Sequence, residues 1–222
     1  MFFKSKLEKA VENQSHVGFV MERKPKSVVS EAYRTLRTNI QYSSFDKKIQ
    51  TIVVTSAEAA EGKSTVSGNL ALAFAQNESK VIIVDCDLRK PSVHKNFKVS
   101  NLSGLSEVLI GKAQLDDVIQ KRNENLDILT SGKIPPNPSE MLSSSAMTNL
   151  IAKLKEKYDV IILDSAPLGA VTDAQILSTE VDGTILVTRA ERTRREVVLE
   201  AKNSLEKVGA NILGCVLHAV EN

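Results

Sequence analysis

The chain has 222 residues, of which 42% are hydrophobic and 25% charged, and its net charge at pH 7 is +2. This composition excludes a wholly disordered chain, and the near-neutral charge argues against a polycation that binds nucleic acid. The length suits one α/β domain with a sizeable core. Cys86 and Cys215 lie far apart and outside any metal-binding spacing, which argues against a disulfide framework and a structural zinc site.

The N-terminal part of the chain is basic. Residues 1–50 contain ten Lys and Arg against five Asp and Glu, so the rest is slightly acidic. Residues 1–26 predict a loosely structured basic arm, and residues 27–222 predict a single domain. The apolar runs are too short to cross a bilayer, and the first residues do not resemble a signal peptide. The two free thiols suit the reducing cytosol.

Strand and helix signals alternate along the chain. A helix is predicted from Ser27 or Ser30 to about Ser43. The predicted strands are residues 49–55, 80–85, 126–130, 160–164, 183–188 and 212–218, and the later helices are 63–76, 104–110, 115–120, 145–157, 172–178 and 193–208. Continuous apolar strands between helices predict an α/β fold, a doubly wound, mostly parallel sheet with helices on both faces. The ligand of such a sheet is expected at the carboxyl ends of its strands.

The segment after the first predicted strand has the pattern of a phosphate-binding loop. Residues 57–65 read AEAAEGKST, which is a P-loop with Ala57 in place of its first glycine. Gly62 lets the backbone approach a phosphate, and the N–H groups that open the next helix face the anion. Lys63 is expected to pair with the β- and γ-phosphates. The expected nucleotide-binding residues are Ala60, Glu61, Gly62, Lys63, Ser64 and Thr65, typical of the P-loop NTPase type.

Aspartates close two further predicted strands. Asp85 and Asp87 follow the apolar run VIIV, and Asp164 follows VIIL. Because Mg²⁺ prefers oxygen ligands, the predicted metal ligands are Ser64, Asp85 and Asp164. A single strand-end aspartate more commonly caps a turn, but three of them beside one P-loop favour a metal site. Asp87 faces the same side of an extended segment as Asp85, which leaves one carboxylate for the metal and one to accept a proton.

Several strings, in order, carry a resemblance to a known family. They are KPKSVVSEAYRTLRTNI, TSAEAAEGKST, VIIVDCDLRKP, GLSEVLIGK, LTSGKIPPNPSEML, YDVIILDSAP and ILGCVL. The chain resembles the bacterial tyrosine kinases of capsule and exopolysaccharide synthesis, and within them the separate cytoplasmic kinase subunit of Gram-positive bacteria. DCDLRKP and PPNPSEML are specific to this family, whereas the P-loop alone is not. Glu58 also stands where ATPases of the ParA type have a lysine.

The resemblance implies a tyrosine kinase that transfers the γ-phosphoryl group of ATP, with ATP and Mg²⁺ as cofactors. It implies that the catalytic residues are Lys63, Asp85 and Asp87, with Asp87 orienting or deprotonating the acceptor tyrosine. Its EAYRTLR motif implies assembly into a ring through Glu31, Arg34 and Arg37. Without the family, these three residues indicate a solvated helix face with salt bridges.

The resemblance also implies partners. These are a membrane-embedded activator whose cytoplasmic tail completes the ATP site, tyrosine-containing protein substrates and a cognate phosphotyrosine phosphatase, and no nucleic acid is expected. The chain would then lie in the cytoplasm, at the inner face of the cell membrane through its activator. The arginines at 189, 192, 194 and 195 leave three interpretations open: a nucleotide contact, a partner contact or an exposed basic loop.

The number of tyrosines differs from what the kinase interpretation leads one to expect. The family's kinases typically carry a segment rich in tyrosine, whereas this chain has only Tyr33, Tyr42 and Tyr158, each of which is expected to pack rather than accept phosphate. Two other functions stay open on the sequence. One is a regulatory ATPase or nucleotide switch without phosphotransfer, and the other is a scaffold that binds ADP and assembles a polysaccharide machine.

Overall fold

One seven-stranded sheet organises the computed structural model, which describes residues 18–43 and 48–219. In chain order the strands are β1 (Thr51–Ser56), β2 (Val81–Asp85), β3 (Gln120–Lys121), β4 (Leu126–Leu129), β5 (Val160–Asp164), β6 (Gly183–Arg189) and β7 (Ile212–His218). Their order in the sheet is β3-β4-β2-β5-β1-β6-β7. All neighbouring pairs are parallel except β3 and β4. The predicted doubly wound, mostly parallel sheet is confirmed.

Helices flank the sheet on both faces. In chain order they are α1 (Val20–Arg23), α2 (Val28–Gln41), α3 (Lys63–Ala75), α4 (Val93–Phe97), α5 (Leu105–Leu109), α6 (Leu115–Val118), α7 (Pro138–Leu142), α8 (Ser145–Lys157), α9 (Asp173–Ser178) and α10 (Arg195–Lys207). Among the residues that the structure describes, no helix has both the length and the apolar character that crossing a membrane requires.

The strands are buried on both faces because successive side chains enter different apolar cores. Ile52 and Val54 of β1 belong to the core that contains Phe74 of α3. Val53, between them, belongs to the core that contains Leu150 of α8. The three β1 side chains have no solvent exposure. Burial on both faces is the physical reason why these strands are continuous apolar runs.

The topology gathers the acidic strand ends at one edge of the sheet. β5 lies between β1 and β2, so α3 connects two strands that are not neighbours. Asp85 at the end of β2 is in register with Asp164 at the end of β5. The P-loop follows β1 at the same edge, which is where an open α/β sheet binds its ligand.

Five elements differ from the sequence prediction. The predicted helix over residues 115–120 ends at Val118, because Gln120 and Lys121 pair with β4 as the antiparallel edge strand β3. The short helices α1, α4 and α7 are not predicted at all. In α7, Pro138 stands at the first helical position, where proline is tolerated because its missing N–H would have no partner there.

The predicted arm over residues 1–26 lies partly outside the described residues, which begin at 18. Within the described part, Phe19 and Met21 are buried in the core. The Met21 N–H donates to Asn69 Oδ1 of α3 at 3.1 Å. Residues 19–23 therefore pack on the domain, because two apolar side chains in a charged stretch suffice to anchor it.

Candidate active site

The loop between β1 and α3 has the backbone conformation of an anion site. Gly62 has φ +91°, and α3 begins immediately after it at Lys63. Ala60 also lies in the left-handed region, with φ +64°, which costs a residue with a Cβ about 1–3 kcal/mol. The unpaired N–H groups of the first turn of α3 therefore open onto a constrained loop. The predicted nucleotide-binding residues 60–65 form one continuous turn into this helix.

Lys63 is directed at the carboxylates of the site. Its Nζ donates to Asp87 Oδ2 at 2.8 Å and lies 3.5 Å from Ser64 Oγ. The Lys63 and Asp87 side chains are only 11% and 5% exposed. Burial lowers the pKa of Lys63, but the negative charges of Asp164, Asp87 and Asp85 raise it by more, so this pKa lies above its ordinary value. Lys63 is therefore protonated at neutral pH.

Asp87 is an ionised carboxylate with a fixed orientation. Its Oδ1 accepts from the Lys90 N–H at 2.9 Å and from the Arg89 N–H at 3.4 Å. Burial raises the pKa of Asp87, but Lys63 and these two backbone donors lower it, and the net shift is downward. An oriented carboxylate beside a phosphate-binding loop can accept a proton from an incoming hydroxyl group.

Asp85 and Asp164 are fully buried at the adjacent ends of β2 and β5. Asp85 shapes the loop after β2, because its Oδ2 accepts from the Ser92 N–H at 3.1 Å and the Val93 N–H at 3.0 Å. Asp164 Oδ1 accepts from Ser67 Oγ at 2.9 Å. Asp164 Oδ2 is buried and has no hydrogen-bond partner among the described residues. A buried carboxylate oxygen without a hydrogen-bond donor is compatible with the predicted role of Asp164 as a metal ligand.

The charge of this pair fits a divalent cation. Burial and the neighbouring Asp164 raise the pKa of Asp85 to about 8, and burial raises that of Asp164 against the effect of Lys63. A proton or a cation relieves the repulsion between two such carboxylates. The described residues contain no cluster of three or more His, Cys, Asp or Glu with metal-site geometry. Two carboxylates and the Ser64 hydroxyl nevertheless suit Mg²⁺, which takes few protein ligands beside phosphates and water.

The predicted assembly residues lie apart from this site, on α2. Arg34 pairs with Glu31 and donates through Nη2 to the Pro25 carbonyl at 2.8 Å. Arg37 Nη1 donates to the Ala73 carbonyl near the end of α3 at 3.1 Å. All three side chains therefore have contacts within the chain, and their role in assembly stays a prediction.

Comparison with known proteins gives the family. Residues 49–209 match the family described as an AAA domain. The chain is 45% identical over 195 residues to "Tyrosine-protein kinase YwqD" of Bacillus subtilis, which covers 87% of this chain and 82% of that protein. It is 42% identical over 196 residues to "Putative tyrosine-protein kinase CapB" of Staphylococcus aureus, and this alignment covers 88% of this chain and 86% of that protein. The chain belongs to the bacterial tyrosine-protein kinase family.

Solved structures agree with this membership. The crystal structure of the chimerical protein CapA2B2 is 39% identical to this tyrosine kinase, covers 95% of this chain and 97% of its own, and superposes with a TM-score of 0.86. The septum site-determining protein MinD of Pyrococcus horikoshii, complexed with Mg-ADP, is 30% identical, covers 76% of this chain and 69% of its own, and has a TM-score of 0.64. A protein of this fold therefore binds a nucleotide with Mg²⁺.

A polar network that the sequence analysis did not single out supports the loop carrying Asp87. Arg89 donates through Nε and Nη2 to the two oxygens of Asp173, at 2.9 and 3.1 Å, and through Nη2 to Ser139 Oγ at 2.9 Å. The Ser139 hydroxyl donates to Asp173 Oδ1 at 2.6 Å, and the Asp173 side chain has no solvent exposure. This network joins DCDLRKP to PPNPSEML. The joint presence of the two strings was the only signal for it in the sequence.

The substitution D164N is expected to stabilise the kinase at pH 8 when neither nucleotide nor Mg²⁺ is added. The folded chain holds Asp85 and Asp164 with raised pKa values, so between about pH 4 and pH 8 it binds more protons than the unfolded chain does. The free energy of unfolding therefore falls as pH rises through this window. Removing one charge of the Asp85–Asp164 pair should raise the free energy of unfolding at pH 8 by about 1–3 kcal/mol.

Urea unfolding of both proteins at about pH 5.5, inside this window, and at about pH 8, its upper end, measures this effect. The free energy of unfolding of D164N should exceed that of the unchanged protein at pH 8, and by a smaller amount at the lower pH. Because Asp164 is a predicted metal ligand, added Mg-ADP should stabilise the variant less than it stabilises the unchanged protein. Equal stability loss at both pH values would contradict the repulsion between Asp85 and Asp164.

Proposed function

We propose that this chain transfers the γ-phosphoryl group of ATP to tyrosine, on itself and on protein substrates, and so regulates capsular or exopolysaccharide synthesis. One observation carries the proposal: the Lys63–Asp87 ion pair of 2.8 Å puts an ionised carboxylate beside the P-loop, in addition to Asp85 and Asp164. A Mg²⁺ site needs only one or two carboxylates. Asp87 is therefore the carboxylate available for proton transfer.

Binding and orientation are assigned to the residues at the strand ends. The N–H groups of residues 60–65 bind the phosphates, and Ser64, Asp85 and Asp164 hold Mg²⁺. When bound, Mg-ATP supplies a phosphoryl group whose transfer depends mainly on positioning and charge neutralisation. Lys63 exchanges its contact with Asp87 for one with the β- and γ-phosphates. This exchange leaves Asp87 free beside the transferring group.

The exchange also makes Asp87 a stronger base. Burial raises the pKa of Asp87 and Lys63 lowers it, so the pKa rises when Lys63 turns away. The tyrosine phenol, with a pKa of about 10, is neutral at working pH and must give up its proton. Asp87 takes that proton while the tyrosine oxygen bonds to phosphorus and the bond between phosphorus and ADP breaks. Such general-base catalysis contributes roughly 10²–10⁴-fold.

We place the kinase in an assembly at the inner face of the cell membrane. A membrane-embedded activator contributes its cytoplasmic tail, the residues Glu31, Arg34 and Arg37 join copies into a ring, and a cognate phosphatase reverses the modification. Similarity to the chimerical protein CapA2B2 supports the activator. A "Putative tyrosine-protein kinase in cps region" of Klebsiella pneumoniae, 36% identical over 88% of this chain and 27% of its own length, supports the polysaccharide role.

Phosphotransfer to matched peptides tests the proposed function. The full chain is incubated with Mg²⁺, ATP labelled in its γ-phosphate, the activator's tail and a peptide with a single tyrosine. A peptide with phenylalanine in its place is the control. Label on the tyrosine peptide alone is the expected result. Label on neither peptide, with the chain shown to bind nucleotide, contradicts the proposal.

On this chain we expect Tyr42 to be the acceptor. It is 74% exposed, which corrects the expectation that all three tyrosines pack. Tyr33 is buried, which raises its pKa to about 12. Burial also raises the pKa of Tyr158, whose hydroxyl donates to Asp127 Oδ2 at 2.7 Å. The substitution Y42F should remove the label from the chain and leave the peptide's label unchanged.

Phosphopeptide mapping measures where the label lies. Tyr42 directly follows α2, in which Arg37 contacts Ala73 near the end of α3 that is far from Lys63, and a 13-residue helix spans about 20 Å. We therefore expect Tyr42 to be phosphorylated by a second copy of the chain, so that the labelled fraction rises with protein concentration. Label on Tyr33 or Tyr158, or a labelled fraction independent of concentration, contradicts this assignment.

A further inference from the structure

Glu61 is an acidic residue of the phosphate-binding loop, and it is only 2% exposed. Both of its carboxylate oxygens are hydrogen-bonded. Oε2 accepts from the Glu58 N–H at 2.7 Å, within the same loop. Oε1 accepts from the Thr193 hydroxyl, which lies 132 positions later in the loop between β6 and α10. A contact distant in sequence thus reaches into the P-loop.

The Thr193 hydroxyl connects this carboxylate to the sheet. Its Oγ1 accepts from the Arg189 N–H at the end of β6, at 3.0 Å, while its hydrogen is donated to Glu61. A chain of three hydrogen bonds therefore runs from the β6 backbone through both side chains to the Glu58 backbone. Connected hydrogen bonds in a buried environment polarise and strengthen one another.

The contact acts at the most constrained part of the loop. Glu61 lies between Ala60 and Gly62, which both have left-handed backbones. Such a conformation persists only where the surroundings hold it. A second contact comes from the same side, since a Cβ on Gly62 would lie 2.2 Å from the His218 ring. The Ala190 N–H donates to the His218 carbonyl at 2.9 Å, which joins the end of β7 to the loop after β6.

We propose that Glu61 and Thr193 form a clamp that holds the P-loop in its nucleotide-binding conformation. Both are positioning residues, because they act through the backbone of residues 58–62. The inference rests on the proposed binding of nucleotide at the P-loop. It also gives a function to the basic loop after β6, whose Arg192 and Arg194 are exposed on either side of Thr193. Displacing this loop releases the clamp and lowers nucleotide affinity.

Two substitutions at Thr193 separate the hydroxyl from the rest of the side chain. T193V keeps the shape and removes the hydrogen bonds, whereas T193S keeps the hydroxyl. Loss of one hydrogen bond to a charged group should weaken Mg-ADP binding roughly tenfold in T193V, and T193S should bind as the unchanged chain does. The control is T179V, on a surface threonine whose hydroxyl donates only to the Ile176 carbonyl. The dissociation constant is measured by isothermal titration calorimetry.

Substitutions at Glu61 test whether the two residues act together. E61A should weaken Mg-ADP binding at least as much as T193V, because it also removes the contact with the Glu58 N–H. The double variant should bind no worse than E61A, because E61A has already removed the contact with Thr193. E61Q should retain affinity, since its carbonyl can accept from Glu58 and its amide can donate to the Thr193 oxygen. In peptide phosphorylation, T193V should raise the KM for ATP and leave kcat nearly unchanged.

Any of three results would contradict the clamp. They are an unchanged Mg-ADP affinity in T193V, a Mg-ADP affinity in T193S as low as that in T193V, and a loss of affinity in the double variant that equals the sum of the two single losses. Thermal unfolding of each variant identifies any that fail to fold, and T193S supplies the comparison if E61A is among them. ADP binding requires no phosphotransfer. An unchanged chain that binds Mg-ADP normally but labels no tyrosine would contradict the proposed function and leave the clamp in place.

Discussion

The substitution K63M is expected to reduce Mg-ATP affinity and phosphotyrosine formation by roughly 10²–10³-fold. Lys63 Nζ lies 2.8 Å from Asp87 Oδ2, and the negative charges of Asp164, Asp87 and Asp85 raise the pKa of Lys63. Methionine retains the length of the side chain and removes the charge. The phosphates then lose their cationic partner and the Asp85, Asp87 and Asp164 carboxylates lose their counter-charge.

Calorimetric titration with a non-hydrolysable ATP analogue measures the affinity, and phosphotyrosine on the acceptor peptide measures the activity. The control is K153M, at an exposed lysine of α8. Because K63M leaves the carboxylates without their counter-charge, its thermal stability should also be lower at about pH 8, near the pKa of Asp85, than at about pH 6. Retained affinity in K63M, or unchanged tyrosine labelling, would contradict the role of Lys63.

The substitution D87N is expected to have a different effect, with lost chemistry and retained binding. Asparagine keeps one acceptor oxygen, which can accept from the Lys90 N–H, but its amide NH2 replaces the oxygen that faces Lys63, and it cannot take a proton. Phosphotyrosine formation at neutral pH should fall by roughly 10²–10⁴-fold. Mg-ADP affinity should be unchanged or slightly higher, since Lys63 is no longer held by a charged partner.

The pH dependence of D87N identifies the missing base. Its residual activity should rise as pH approaches the phenol pKa of about 10, because an ionised acceptor needs no proton removal. The control is D117N, at an exposed aspartate of α6. A pH profile parallel to that of the unchanged chain, or full activity at neutral pH, would exclude Asp87 as the base.

The strands and the residues at their ends could be predicted from the sequence, because each is indicated by a short, continuous pattern of residues. A buried parallel strand is a continuous apolar run, and VIIV and VIIL are such runs with aspartates at their ends. The string EGKST, which follows an apolar run, predicts a phosphate-binding loop between a strand and a helix. Once the strands were placed, parallel topology alone brought Lys63, Asp87 and Asp164 together at one edge.

The contacts that support the site could not be predicted, because they join segments with no common local signal. Glu61 meets Thr193 across 132 positions, and Arg89 meets Asp173 across 84. Nothing in the sequence around Thr193 distinguishes it from a threonine in an exposed basic loop. The packing of Phe19 and Met21 could not be predicted for a related reason, since two apolar residues in a charged stretch show no period.

The partition of the γ-phosphoryl group between tyrosine and water tests the central claim most directly. ATP labelled in its γ-phosphate is supplied with Mg²⁺ and the activator's tail, and phosphotyrosine and inorganic phosphate are counted with and without the tyrosine peptide. A tyrosine kinase that uses Asp87 should give peptide-dependent phosphotyrosine that disappears in D87N. Phosphate release that is independent of the peptide, with no label on protein or peptide, would contradict the account and identify a regulatory ATPase.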